Sequence, residues 1–162
     1  MRPFLLFAAI ALVLAAIVPK LLPSHDAAAT VATAEPQSNS VRSVALARSR
    51  NGHFETDGMV DGRRIGFMID TGASVVALRE SDAARLGIHP TEREYTMRVS
   101  TANGVIQAAP VEFNRVEIGD LLVRNVAGIV LPDQALAQNL LGMSFLSRVH
   151  WQYQSDKLVL EQ

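Results

Sequence analysis

One acidic residue in this chain stands where it could do chemistry. In Phe67-Met68-Ile69-Asp70-Thr71-Gly72-Ala73-Ser74-Val75-Val76, apolar residues run into a single acid, small residues follow, and the chain turns apolar again. The pattern reads as a buried strand that breaks into a tight turn, with a carboxylate at the break. Thr71 offers a hydroxyl, Gly72 a backbone without Cβ, and Ala73 a minimal side chain. Such a turn can hold a carboxylate with backbone and hydroxyl donors while another backbone comes close. A carboxylate so held is suited to taking and returning a proton. Asp and Gly are also ordinary turn residues. The apolar flanks on both sides distinguish this stretch from a common surface turn.

The stretch resembles the active-site loop of the retropepsin-like aspartic proteases, which carry apolar residues, Asp-Thr-Gly-Ala and more apolar residues. A second match is Leu140-Leu141-Gly142-Met143-Ser144-Phe145-Leu146. There Leu141 and Gly142 resemble the apolar and Gly positions that lead into the family's C-terminal helix and pack behind the active-site loop. The resemblance runs from about Asn51 to Gln162. With the apolar N-terminal segment, it points to the bacterial, membrane-anchored, single-domain branch.

What the resemblance implies is peptide hydrolysis by a water held between two carboxylates. One is ionised and takes the water's proton, and the other is protonated and polarises the carbonyl. Two like charges in contact do not both ionise cheaply, so such a pair shares a proton and titrates as a unit. Asp57-Gly58, Asp61-Gly62 and Asp120 sit in polar turn contexts, so no other acid matches Asp70. Either the second carboxylate is the Asp70 of another copy, brought in by a two-fold axis, or there is no pair. The first case predicts an obligate homodimer with Asp70 as the catalytic residue. By resemblance, Thr71 would bond across the axis, Gly72 would offer its carbonyl to the substrate backbone, and Ala73 would permit close approach.

The hairpin around Asn103-Gly104 is the candidate flap, with Thr101, Ala102, Asn103 and Gly104 as candidate substrate contacts. In the family such a hairpin closes over the peptide and excludes water. Here the very glycine-rich tip of retroviral members is missing, and an ordinary exposed hairpin is the competing reading. A different class of function is a retropepsin-shaped module that grips a peptide strand or dimerises without cleaving anything.

Net charge is −1, which gives no argument for nucleic acid. The chain has no cysteine, so disulfides and thiol nucleophiles are excluded. His25, His53, His89 and His150 are scattered and lack metal-ligand spacing. No serine lies in Gly-x-Ser-x-Gly. No metal or organic cofactor is implied. The expected partners are a peptide or protein substrate and a second copy of the chain.

Three segments are expected: an apolar segment over 1–22, a flexible linker over 23–50, and the protease domain over 51–162. Phe4 to Val18 is unbroken apolar sequence, about 22 Å as a helix against a hydrocarbon core of about 30 Å. Lys20 could reach the headgroups beyond it. An uncleaved inner-membrane anchor and a cleaved signal peptide both fit, and both put the domain in a bacterial periplasm. Val41 to Ala47 has strand character that could start the domain early.

From Asn51 the many short strands and turns, with one or two short helices, argue for a closed or sandwiched all-β domain, and the resemblance implies the closed, single-lobe acid-protease fold. Strands are expected over His53–Val60, Arg64–Ile69, Ser74–Leu78, Tyr95–Thr101, Val105–Ile118 and Leu121–Leu131. Asp61-Gly62 and Asn103-Gly104 are strong hairpin turns. Pro110 should mark an edge or a bulge. Glu80–Leu86 reads as a helix stopped by Gly87, and Met143–Arg148 as a second. His150–Tyr153 and Leu158–Glu161 form a last hairpin. Its strand Leu158-Val159-Leu160 is expected either to pair with its mate across the dimer or to be an edge within the domain.

Overall fold

The computed structural model describes residues 41–101 and 104–162. The apolar segment over 1–22, the linker up to residue 40, Ala102 and Asn103 lie outside the described residues. The described residues form ten strands: β1 (Ser43–Ala47), β2 (Glu55–Val60), β3 (Arg63–Ile69), β4 (Val76–Arg79), β5 (Met97–Thr101), β6 (Gly104–Ile118), β7 (Leu121–Leu131), β8 (Leu140–Leu141), β9 (His150–Gln154) and β10 (Lys157–Glu161). Two short helices are α1 (Glu80–Arg85) and α2 (Met143–Leu146). The fold is all-β, as the pattern of short strands and turns predicts.

Seven strands run in the order β2-β3-β8-β4-β7-β6-β5, and β2 also pairs with β6. That extra pairing, Met59 with Glu117 and Val60 with Val116, closes six of the strands on themselves. Closure removes sheet edges and wraps one core. Phe113, Phe145, Leu78, Ile118, Leu141 and Val116 are fully buried there. Only β5 projects beyond the ring, held to β6 by the hairpin register Met97–Ala108 through Thr101–Gly104.

Local chemistry explains most turns. Asp61 and Gly62 both have positive φ, 48° and 86°, as a tight hairpin between twisted strands requires. Gly87 ends α1 at φ 85°, and the Ile88 amide reaches back to the Ala83 carbonyl at 3.0 Å. Pro110 does not break β6. The outer edge of β6 is paired by β5 up to Ala108 and by β2 from Val116. Pro110 falls in the gap between them, where no partner needs its missing N–H.

The terminal sheet differs from expectation. Its order is β1-β10-β9, so β10 is the central strand, bonded on both sides within one chain. Leu158-Val159-Leu160 is therefore neither an edge nor free to pair with its mate in another copy. The strand character of Val41–Ala47 accounts for this, because Ser43–Ala47 occupies the β10 edge from Glu161 to Lys157. Val76, rather than Ser74, begins β4, and Leu140–Leu141 is a short strand within the ring.

Candidate active site

β3 delivers Asp70 at its end. Met68 and Ile69 pair in parallel with Leu140 and Leu141 of β8, and the Asp70 amide donates to the Leu141 carbonyl at 3.1 Å. The chain then turns sharply, and the Ala73 amide donates back to the Asp70 carbonyl at 3.3 Å. The Gly72 amide donates to Asp70 Oδ1 at 2.8 Å. A Cβ on Gly72 would lie 3.1 Å from that same oxygen. The other oxygen, Oδ2, has no donor among the described residues, so the carboxylate is aimed by one oxygen and open at the other. Asp70 is half-buried, and Thr71 and Gly72 are exposed at the turn.

The segment after β8 packs behind this turn. The Met143 amide donates to the Ala73 carbonyl at 2.8 Å and the Ser144 amide to the Ser74 carbonyl at 3.1 Å. Ser144 Oγ accepts from the Val76 amide at 3.0 Å and donates to the Ala127 carbonyl at 2.7 Å. Leu141 and Gly142 are fully covered. The fold joins the Asp70 turn to the segment after Leu141 through these backbone bonds.

Asp70 lines a cleft of about 1040 Å³. Gly72, Ala73, Ser74 and Thr101 line it too, as do the apolar residues Met68, Val75, Val99, Ile129, Leu131 and Leu136. Thr101 and Gly104 flank the tip of the β5–β6 hairpin, where Thr101 Oγ1 donates to the Gly104 carbonyl at 2.9 Å. Ala102 and Asn103 of the candidate flap are among the residues not described. Ile129 to Leu131 were legible as strand but not as a cleft wall, because an apolar run buried on both faces has no polar alternation to orient it.

Asn139 is the residue that sequence reasoning missed. It is the one buried polar side chain among the described residues. Its Oδ1 accepts from the Arg79 amide at 2.8 Å, and its Nδ2 donates to the Gly66 carbonyl at 3.0 Å and to Asp82 Oδ2 at 2.9 Å. Its carbonyl accepts from the Met68 amide at 2.9 Å. It ties β3, β4 and α1 together at the start of β8. Nearby, the Ser81 amide holds the Asp133 carboxyl below its ordinary range, more strongly than Arg79 does. Asn139→Ala strands several of these groups and should cost roughly 2–3 kcal/mol. Urea unfolding of the variant beside wild type measures this, and an unchanged midpoint would refute the assignment.

Among the described residues no group of three or more His, Asp or Glu could hold a metal ion. His53 lines the cleft, while His89 and His150 are exposed elsewhere.

Residues 56–148 match the family model described as "gag-polyprotein putative aspartyl protease". The solved structure of a retropepsin-like aspartic protease from Rickettsia conorii superposes with a TM-score of 0.67 at 42% sequence identity, over 75% of this chain and 91% of that one. Two curated relatives are uncharacterised proteins. One, from Sinorhizobium sp, is 42% identical over 80% of this chain and 56% of its own length. The other, RP867 of Rickettsia prowazekii, is 40% identical over 76% of this chain and 53% of its own length. The chain spans about half the length of the curated relatives it matches. An acid-bearing turn at the end of β3, a Leu-Gly segment packed behind it, a closed single lobe and these matches together place the chain in the retropepsin-like aspartic protease family.

Proposed function

We propose that the protein is an aspartic endopeptidase whose active site forms between two copies of the chain, each contributing Asp70. The observation that carries this reading is the Asp70 carboxylate itself. It lines the cleft at the end of β3, pinned through Oδ1 by the Gly72 amide and open at Oδ2. A lone carboxylate is half of what the chemistry needs. Thr71 and Gly72 are exposed beside it, which suits the approach of a second, identical turn.

In this mechanism a water sits between the two carboxylates. The ionised one takes a proton from the water as its oxygen attacks the scissile carbonyl carbon. The protonated one gives its proton to the carbonyl oxygen. The resulting diol collapses, the amide nitrogen takes a proton, and the C–N bond breaks. The substrate would lie extended in the cleft, its side chains against the apolar walls, under the β5–β6 hairpin. Thr71 would bond across the two-fold axis, Gly72 would meet the substrate backbone and Ala73 would allow close approach. The apolar run over residues 4–18 would hold the domain at the outer face of a bacterial inner membrane, facing the periplasm.

Dilution tests the shared site. Specific activity should fall as the protein is diluted below its dimer dissociation constant, in step with the dimer fraction seen by sedimentation. Full specific activity in wholly monomeric protein would exclude the two-copy mechanism.

A further inference from the structure

We propose that His53 is a specificity-determining residue of the cleft, presenting its imidazole beside Asp70 to a carboxylate or carboxamide side chain of the bound peptide. The proposal rests on reading the cleft as a peptide site, whether or not the peptide is cut.

The strand register places His53. In the β2–β3 pair Glu55 lies opposite Met68. The Ile69 amide donates to the Phe54 carbonyl at 2.9 Å, so the ladder continues one residue past β2. The next residue, His53, falls opposite Asp70. Successive strand residues alternate faces and cross-strand partners share one. Met68, Asp70 and His53 accordingly all line the same cleft.

The loop bearing His53 is preset. Its carbonyl accepts from the Ser49 amide at 2.8 Å and from Ser49 Oγ at 2.7 Å. Its amide donates to Asn51 Oδ1 at 3.3 Å. Arg48 donates to the Gly52 carbonyl at 2.6 Å, lies 4.9 Å over the Phe54 ring, and pairs with Asp156 at 3.2 Å. Tyr153 donates to the same Asp156 oxygen at 2.6 Å. The Tyr153 hydroxyl first, and Arg48 second, hold the Asp156 carboxyl below its ordinary range. The terminal sheet thereby anchors this wall of the cleft.

The imidazole is unengaged, since no hydrogen bond or ion pair reaches it among the described residues. Asn51, beside it, is occupied by Ser49, the His53 amide and Glu55 Oε1. The charged groups lining the cleft with His53 are Asp70 on β3 and Arg98 on β5; Glu55 on β2 accepts from Asn51, and Arg48 is directed to Gly52 and Asp156. On this side of the cleft the protein itself supplies the Asp70 carboxylate, and the ring N–H is an unengaged donor beside it. A peptide side chain with an acceptor oxygen complements it.

The test uses the full-length chain and a positional-scanning peptide library, with two readouts: cleavage by wild type and binding to Asp70→Asn. Glu and Gln should be preferred over Leu at one subsite by about tenfold, in line with one hydrogen bond from the ring. His53→Ala, alone or combined with Asp70→Asn, should erase that preference. His53→Glu should turn it toward Lys and Arg. Identical profiles for wild type and His53→Ala would overturn the proposal, and so would a protein that neither binds nor cuts any peptide. If a His53-dependent binding preference is present and nothing is cleaved, the specificity role stands and the endopeptidase reading falls.

Discussion

Asp70→Asn is expected to reduce peptide cleavage by about a thousandfold or more while leaving the fold intact. Asparagine keeps the shape of the side chain, and its Oδ1 still accepts the Gly72 amide, which lies 2.8 Å from the carboxylate oxygen in the native protein. What it removes is the ability to accept and return a proton. In a shared site both copies lose it, so no ionised base remains to activate the water. Cleavage of a fluorogenic peptide mixture, followed from acid to neutral pH with thermal unfolding alongside, measures both properties. Equal cleavage by wild type and variant would remove Asp70 from the chemistry. Absence of cleavage by either, with peptide still bound, would favour the non-catalytic peptide-binding module.

Gly142→Ala should be the most damaging single methyl group in the domain. Gly142 has φ −94° and ψ −171°, a conformation open to any residue, so backbone freedom is not what it provides. Space is. A Cβ at this position would come within 2.2 Å of the Val75 carbonyl oxygen and 2.7 Å of the Ala73 carbonyl oxygen. Both are backbone atoms of the loop that follows Asp70, and neither can swing aside as a side chain can. Relief requires the loop to withdraw from α2, which weakens the bonds from the Met143 and Ser144 amides. The expected cost is about 3 kcal/mol, at the high end for overpacking, together with a fall in cleavage because Asp70 shifts. Gly66→Ala is the control, since its Cβ would meet nothing nearer than Asp57 Oδ1 at 3.7 Å. Urea midpoints that fail to separate the two variants would sink this account.

These two residues were legible for different reasons. Asp70 stands out because a lone acid between apolar runs is rare and the residues after it are small. Gly142 stands out only because Leu140-Leu141-Gly142 resembles the family's segment behind the active-site loop, and its steric role needs the two loops brought together. The hairpins at Asp61-Gly62 and the stop at Gly87 could be read directly, because positive φ is a property of one or two residues. The assignment of β10 failed for the opposite reason. Leu158-Val159-Leu160 looks the same as an edge or as a central strand, and only the distant Ser43–Ala47 decides between them.

The sequence by itself determined the class of fold and the acid-bearing turn, because these depend on residue type, alternation and turn chemistry over a few neighbours, while its Leu-Gly partner was legible only through the family resemblance. Tertiary structure alone decided that β2 closes onto β6, that Asn139 joins β3, β4 and α1, and that His53 stands opposite Asp70. Those are contacts between residues far apart in the chain, set by register and burial, and no local pattern encodes which strand lies beside which.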